Sequence, residues 1–408
     1  MTNAAGRSDI DGRYAWSRLA VSVLIATIGG VSMWSVIVVL PVVQAEFGID
    51  RADASLPYTM AMIGFALGNV WFGRLVDRTG IFLPLVAAAA MLFFGYVLAA
   101  TVSSIWLLAL LHGLIGIGGS VTFGPIIADL SHWFHKRRGM AVAAAASGSY
   151  IAGAIWPLVI QFGLSHGGWR MTYAAIGALC ILTMPPLAMM VRRRAPHLDA
   201  VGGAGAVMPA RSIGLSPRAL QLLLVVAGVA CCVAMSMPQV HIVAYCVDLG
   251  FGVARGSQML SLMLVGGIVS RLASGFLADR IGGVRTLLIG TVLQCLALMA
   301  YIPFDGLASL YVVSLVFGLS QGGIVPSYAV IVREYLPARE AGRRVGLVIM
   351  ATIAGMALGG WLSGWIYDQT GSYAAAFWNG IAWNLLNIAI MVAILLRTRA
   401  GTPAPRFA

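Results

Sequence analysis

Apolar residues run along the chain in stretches of about 20, separated by short polar or glycine-containing segments. A stretch of that length crosses the hydrocarbon core of a bilayer as one α-helix. The pattern predicts twelve such spans, at about 19–43, 56–73, 81–101, 105–128, 140–163, 171–191, 219–246, 257–277, 286–303, 308–332, 345–366 and 373–396. We therefore expect an all-α, multi-pass membrane protein.

Composition supports this expectation. The 408 residues are 60% hydrophobic and 10% charged, whereas about a quarter of a soluble protein is charged. The polar residues 1–18 lead into a span and lack the features of a cleavable signal peptide. All five cysteines lie in or beside predicted spans, without the loop spacing of a metal site, so we expect neither a disulfide nor a bound metal: Cys180, Cys231, Cys232, Cys246 and Cys295.

The net charge of +12 is explained by membrane topology. If the N-terminus is cytoplasmic, 22 of the 26 lysine and arginine residues fall on the cytoplasmic side, and only Arg51, Arg170 and Arg255 on the other. This asymmetry follows the positive-inside rule and predicts that both termini are cytoplasmic, in a cell inner (plasma) membrane. The basic balance therefore predicts contact with membrane lipids and no nucleic-acid partner.

One octapeptide pattern, G-x-x-x-D-R-x-G, follows both the second and the eighth span. The aspartates are about 200 residues apart, so the pattern predicts two parallel halves of six spans. We expect an N-terminal bundle at 1–198, a flexible Gly/Ala-rich cytoplasmic linker at 199–218 and a C-terminal bundle at 219–408. The pattern comprises Gly73, Asp77, Arg78 and Gly80, then Gly275, Asp279, Arg280 and Gly282.

This repeated loop resembles the signature loop of the major facilitator superfamily, and the repeat covers nearly the whole chain. The glycines permit a tight turn, and Asp77 is expected to cap a helix N-terminus. The resemblance implies a two-bundle fold in which the loop, through Asp77 above all, latches the halves on the cytoplasmic side. A competing interpretation is that its charges only set topology.

Arg271 is the one cation inside a predicted span, and the span interiors contain no acidic residue. A charge at membrane depth costs at least a few kcal/mol. Arg271 therefore binds an anion or snorkels to the interface, since it lies roughly 6 Å from the predicted helix end. Residues 241–282 resemble the monocarboxylate porter and oxalate–formate antiporter branch, in which an arginine placed like Arg271 binds the substrate carboxylate. A guanidinium fork matches a carboxylate bidentately.

Differences between this chain and that branch restrict the expected charge of the substrate. Animal monocarboxylate porters carry an aspartate where this chain has Gly267, and a lysine in span one, whereas the only lysine here is Lys136. The second cation that the oxalate–formate antiporter carries in span eleven is also missing. A single intramembrane cation favours a small monoanion of the lactate or pyruvate kind.

Four further residues are candidates for binding the substrate. Gln321 and Tyr328 offer neutral donors, although either can instead bond a neighbouring helix. Trp34 lines the cavity or packs between helices, and His241 begins the stretch that carries the resemblance. Because proton coupling needs an intramembrane titratable group, His112 and His241 are the proton-coupling candidates. Protons carried by a histidine, a proton carried with the substrate beside Arg271, and anion exchange without protons all stay open; the resemblance favours proton symport.

These features predict a secondary active transporter that works by alternating access, as a monomer and without a cofactor. No metal cluster or nucleophile–base pair points to an enzyme. A multidrug exporter of the same superfamily is a competing prediction; Gly139 and Gly148 fit the start of the exporter motif in span five, but its final Gly-Pro is missing. An anion exchanger also stays open, and so does a non-transporting sensor on the same scaffold.

Overall fold

The computed structural model describes residues 10–134, 137–194, 214–337 and 340–400, and the regular elements among them are helices. This confirms the prediction of an all-helical protein. The helices are α1 Arg13–Gly29, α2 Val31–Phe47, α3 Arg51–Thr79, α4 Phe82–Ala99, α5 Ile105–Ser120, α6 Gly124–Ser131, α7 Arg138–Met190, α8 Pro217–Asp248, α9 Gly252–Ile281, α10 Gly283–Ala300, α11 Leu307–Gln321, α12 Ile324–Tyr335, α13 Ala341–Thr370 and α14 Tyr373–Ala400.

Eleven helical segments of the described chain are long and apolar enough to cross a membrane. Helix α7 is the longest, with 53 residues, and its backbone breaks at Gly168, where φ is 72°. An unbroken helix of that length measures about 80 Å, far more than the bilayer core of about 30 Å. The predicted fifth and sixth spans meet at this break; the count of twelve stays a prediction.

The fourth and tenth predicted spans are each interrupted in their second half. Residues 121–123 separate α5 from α6, and Gly322 and Gly323 separate α11 from α12. The interruptions occupy equivalent places in the two halves of the sequence. The two halves therefore share these helix interruptions as well as the octapeptide pattern.

Glycines allow the helices of this protein to approach backbone to backbone. A Cβ atom on Gly64 of α3 would overlap the carbonyl oxygen of Gly113 of α5, and one on Gly116 would overlap that of Ala61. Helices in a membrane associate largely through such close packing of small residues. The glycine-rich character of the fourth span thus positions it directly against the second.

The contacts divide the chain into two compact units that do not follow the sequence halves. Unit 1 comprises Met1–Asp199, Pro238–Val265 and Gly360–Tyr373; unit 2 comprises Ala200–Met237, Gly266–Gly359 and Ala374–Ala408. Segments from the C-terminal half of the sequence thus belong to unit 1. The bundles predicted at 1–198 and 219–408 stay a prediction, and most of the predicted linker lies outside the described residues.

Candidate functional site

Arg271 lies on α9 beside the interruption of the tenth span. Its side chain is half-buried, and its Nε donates to the carbonyl oxygen of Gly322 at 3.4 Å. The backbones touch here, because a Cβ on Gly322 would lie 2.8 Å from the Arg271 amide nitrogen and would overlap the Gly267 carbonyl. The two glycines therefore bring the guanidinium to the point where α11 ends and α12 begins.

Arg271 also lies farther from the end of its helix than the sequence predicted. Helix α9 continues through Gly275 and ends at Ile281, so ten residues, or about 15 Å, separate Arg271 from the helix end. The expected distance of roughly 6 Å was wrong, because the turn follows the second glycine of the octapeptide and not the first. An arginine side chain is too short to cover 15 Å, so the guanidinium does not reach the end of its own helix.

Two of the predicted substrate ligands share unit 2 with Arg271. Gln321, the last residue of α11, precedes Gly322 directly and is fully buried. Tyr328 is also fully buried, and its hydroxyl donates to Oδ1 of Asn387 on α14 at 3.1 Å. The structure thus brings Gln321 next to the Arg271 site, whereas the Tyr328 hydroxyl bonds a neighbouring helix.

Trp34 and His112 lie in unit 1 and bond other helices there. The indole nitrogen of Trp34 donates to the carbonyl oxygen of Ser149 at 3.2 Å, and its ring packs on Gly153. His112 is fully buried, with Nδ1 at 2.8 Å from the Leu108 carbonyl and Nε2 at 3.1 Å from the Tyr173 hydroxyl. Since the carbonyl accepts from Nδ1–H, Nε2 accepts from Tyr173.

Both octapeptide loops end their helices with a glycine in the left-handed region. Gly80 has φ 78° and Gly282 has φ 85°, a conformation that only glycine adopts without strain. Each glycine amide donates to the carbonyl four residues earlier, at 2.8 Å and 2.9 Å. The sequence repeat is therefore also a repeat of backbone geometry.

Asp77 does not cap a helix N-terminus, contrary to expectation. Asp77 lies in the last turn of α3 and is exposed, and helix α4 begins without a side-chain cap. A carboxylate is disfavoured there, because the helix dipole places negative charge at the C-terminus. Arg194 instead donates to the carbonyl of Thr79 at 3.0 Å. In unit 2, Glu334 caps α10 through the Gly283 amide at 3.2 Å.

The sequence interpretation missed a cluster around Arg51, which we name the Arg51 cluster: Arg51, Asp248, Asp368, Tyr373 and His241. All five residues belong to unit 1. Arg51 is 5% exposed and donates to Asp248 at 3.0 Å and to the Tyr373 hydroxyl. Asp368 accepts from the amides of Arg51 and Ala52 at 2.8 and 2.7 Å and so caps α3.

His241 completes the Arg51 cluster. It is fully buried, with Nε2 at 2.7 Å from the carbonyl oxygen of Gly360 and Nδ1 at 3.1 Å from the Tyr373 hydroxyl. Since the carbonyl accepts from Nε2–H, Nδ1 accepts from Tyr373. One phenol therefore links the buried histidine to the buried arginine.

Comparisons with known proteins identify the family to which this chain belongs. The family model described as Major Facilitator Superfamily matches residues 22–307 and 248–408. Monocarboxylate transporter 13 of Bos taurus is 27% identical over 329 residues, which are 79% of this chain and 75% of that protein. An agnestins efflux protein of Paecilomyces divaricatus is 24% identical over 86% of this chain and 81% of its own length.

A solved structure shares the fold. It is a bacterial homologue of the human lysosomal transporter Spinster, described as inward-facing and unoccupied. It aligns with a TM-score of 0.74 and 14% identity, over 96% of this chain and 99% of its own. The family match covers most of the sequence, and both the octapeptides and the interrupted spans repeat between its halves. This chain is a multi-pass membrane protein that belongs to the Major Facilitator Superfamily.

Proposed function

We propose that this protein is a secondary active transporter of a small monocarboxylate that works by alternating access. The observation that carries the proposal is the position of Arg271, half-buried about 15 Å from the end of α9 and bonded to the interrupted tenth span. Interrupted helices place backbone polar groups at the binding sites of many transporters. A guanidinium there pairs with a carboxylate through two parallel hydrogen bonds.

The charge at this site favours a monoanion. Arg271 is the single cation inside the predicted spans, and neither of the second cations expected from the resemblance is present. Gln321 contributes an amide next to Gly322 and is proposed to orient the substrate. Similarity to a protein named monocarboxylate transporter 13 supports the same substrate class.

We assign proton coupling to His241 rather than to His112. Protonation of His241 would convert Nδ1 from an acceptor into a donor, although the Tyr373 hydroxyl already accepts from Arg51. The protonated His241 and Arg51 would then both donate to one phenol oxygen, that of Tyr373. The other titratable neighbours of Tyr373 are Tyr245 and Tyr367, and the nearby anion is Asp248. Protonation therefore weakens the Arg51 cluster. Among the described residues His112 bonds Leu108 and Tyr173, and neither is charged.

Opening of the non-cytoplasmic side requires the Arg51 cluster to break. The cluster ties the start of α3 to segments 238–265 and 360–373, which come from the other half of the sequence. Charge asymmetry places Arg51 on the non-cytoplasmic side. We propose that the cluster holds this side closed, and that separation of its members is one of the two access changes.

On the cytoplasmic side, we propose that Asp77 latches the transporter in the opposite access state. Its carboxylate is exposed, disfavoured by the α3 dipole, and without a hydrogen-bond or ion-pair partner among the described residues. A partner gained in the other state would relieve that cost. The same role is proposed for Asp279 in the second loop.

The remaining parts of the proposal concern topology. We propose twelve spans, with α7 divided at Gly168, both termini in the cytoplasm and a location in the inner (plasma) membrane. The transporter is proposed to act as a monomer. The glycine break and the distribution of arginine support this arrangement.

An exporter of larger organic compounds is the second candidate function. The observation that favours it is similarity to an agnestins efflux protein over 86% of this chain. A single cation inside the predicted spans favours an acidic cargo here as well, so the two candidates differ in cargo size. Uptake of a short-chain acid would support the monocarboxylate transporter over the exporter of larger compounds.

The test is uptake of radiolabelled lactate and pyruvate into proteoliposomes with and without a proton gradient. Arg271→Gln should lower uptake about 100-fold, because two charge-assisted hydrogen bonds to the substrate are lost. Arg255→Gln on the same helix removes an exposed arginine that contacts Gln258 and should transport normally. Normal uptake by Arg271→Gln would contradict the proposal.

Thermal stability measurements extend the test to other cargoes. Purified protein is melted with small monocarboxylates, dicarboxylates and organic cations, since a ligand of the folded state raises the Tm by mass action. We expect stabilisation by monocarboxylates in the parent and in Arg255→Gln, and none in Arg271→Gln. Stabilisation by organic cations alone would replace the monocarboxylate assignment with the exporter.

A further inference from the structure

A cavity of about 520 Å³ lies at the predicted cytoplasmic ends of α8 and α13, within unit 2. Its lining combines basic and apolar residues: Arg218, Gln221, Leu222, Val225, Glu340, Arg343, Arg344 and Leu347. The cavity is separate from the Arg271 site and has no part in the transport mechanism described above. We propose that it binds an anionic phospholipid whose headgroup carries a hydroxyl, of the phosphatidylglycerol class.

The charge of the cavity calls for an anion. Arg344 is balanced by Glu340, 2.7 Å away, and also donates to the carbonyl of Pro217. Arg218 and Arg343 are exposed and have no hydrogen-bond or ion-pair partner within the described part of the chain. Two guanidinium groups are thus available to a phosphate, which they bind through charge-assisted hydrogen bonds.

The apolar wall distinguishes a lipid from a free anion. Leu222 lies four residues after Arg218 on α8, and Leu347 four residues after Arg343 on α13, so each leucine lies one turn further along its helix on the same face. Both leucines are more than half exposed. The arginines therefore lie at the headgroup level and the leucines about 6 Å deeper, where an acyl chain begins.

Gln221 identifies the kind of headgroup. It is 8% exposed, and its amide nitrogen donates to the carbonyl of Arg344 at 3.3 Å. Its amide oxygen is buried and has no hydrogen-bond partner within the described residues. A buried acceptor left unpaired costs about 1–3 kcal/mol. A headgroup hydroxyl supplies the missing donor while the phosphate reaches the arginines.

The experiment measures lipid binding to the purified full-length protein by native mass spectrometry and by the rise in Tm in mixed micelles. The lipids are phosphatidylglycerol, phosphatidylmethanol, which is anionic but has no headgroup hydroxyl, phosphatidylethanolamine and phosphatidylcholine. Inorganic phosphate is the probe for a free anion. We expect phosphatidylglycerol to bind most tightly, and phosphate alone to give no stabilisation.

Variants locate the site. Arg218→Gln with Arg343→Gln should weaken phosphatidylglycerol binding about 30-fold, since each basic residue near an anionic lipid contributes about fivefold. Arg192→Gln with Arg397→Gln removes the same charge from exposed helix ends elsewhere and should change binding less than about threefold. Gln221→Leu should abolish only the preference for phosphatidylglycerol over phosphatidylmethanol.

Several results would overturn the proposal. Equal losses in the two double variants would mean that surface charge, not this cavity, attracts the lipid. Equal stabilisation by phosphatidylcholine or phosphatidylethanolamine would remove the need for an anion. Full stabilisation by inorganic phosphate would make this a free-anion site. If Gln221→Leu still preferred phosphatidylglycerol over phosphatidylmethanol, a headgroup hydroxyl would not be what Gln221 binds.

Discussion

Substitution of Arg51 by glutamine is expected to release the Arg51 cluster and favour the state in which the non-cytoplasmic side is open. Glutamine keeps much of the side-chain length but has no charge, so the pair with Asp248 is lost. The faces of Tyr367 and Tyr373, 4.6 and 5.6 Å from the guanidinium carbon, also lose their cation. The folded helices otherwise keep their packing.

The size of the effect follows from burial. Removing one partner of a buried ion pair costs about 3–5 kcal/mol. The Arg51 side chain is 6% exposed and that of Asp248 is 25% exposed, so water screens the pair partly and we take the lower figure, about 3 kcal/mol. If only the closed state contains the cluster, the equilibrium moves about 150-fold toward the open state.

Cysteine labelling measures this shift. Ser55 lies one turn after Arg51, is fully buried and donates to the Arg51 carbonyl at 2.8 Å. A Ser55→Cys reporter should react with a membrane-impermeant maleimide only when the side opens. The five native cysteines are buried and unpaired, which keeps the background low. Adding Arg51→Gln should raise the labelling rate of the reporter up to about 150-fold.

The matched control is Arg170→Gln, which removes an arginine predicted on the same side. Arg170 pairs with Glu46, but both side chains are more than a third exposed, and such pairs contribute about 0–1 kcal/mol. We expect a change of less than about fivefold there. A labelling rate for the Arg51→Gln reporter within this small range would refute the gating role of the cluster.

Two other substitutions test the proposed mechanism. Gly322→Ala should lower the Tm and abolish transport, because its Cβ would overlap the Gly267 carbonyl. The control Gly346→Ala has open space around it and should be neutral or stabilising by about 0.5–1 kcal/mol. Equal Tm values for the two variants would contradict the close approach of α9 and α11 at Gly322. His241→Gln should make lactate uptake independent of an imposed proton gradient, whereas His112→Gln should keep that dependence. If uptake by His241→Gln still depends on the gradient, the coupling proton is carried by the substrate or by His112.

Local patterns predicted the helices well, because length and hydropathy alone decide whether a segment crosses a bilayer. The octapeptide repeat predicted a tight turn at its glycines, and Gly80 and Gly282 adopt the positive φ that such a turn needs. The end of α9 was misplaced because both Gly275 and Gly282 were compatible with a turn. That ambiguity changed the distance of Arg271 from the end of its helix from about 6 to about 15 Å.

Long-range pairing could not be predicted from the sequence. Arg51 was counted as a topogenic surface charge, yet it is buried with Asp248, 197 residues away, and with Tyr373, 322 residues away. Arg18, counted in the same way, is fully buried against Asp129, 2.7 Å away. A charged residue at a helix end looks the same in a sequence whether it meets lipid headgroups or a distant carboxylate.

The long sequence separation inside the Arg51 cluster has a consequence for biosynthesis. Tyr373 is made 322 residues after Arg51, which takes roughly 15–65 s at about 5–20 residues per second. Asp248 follows Arg51 by only 197 residues, so for the rest of that interval the nascent chain contains the ion-pair partner of Arg51 but not the tyrosine hydroxyl. The Arg51 cluster is thus complete only once synthesis reaches Tyr373, the first residue of the last helix, and a chain that stops before residue 373 lacks the hydroxyl that accepts from Arg51.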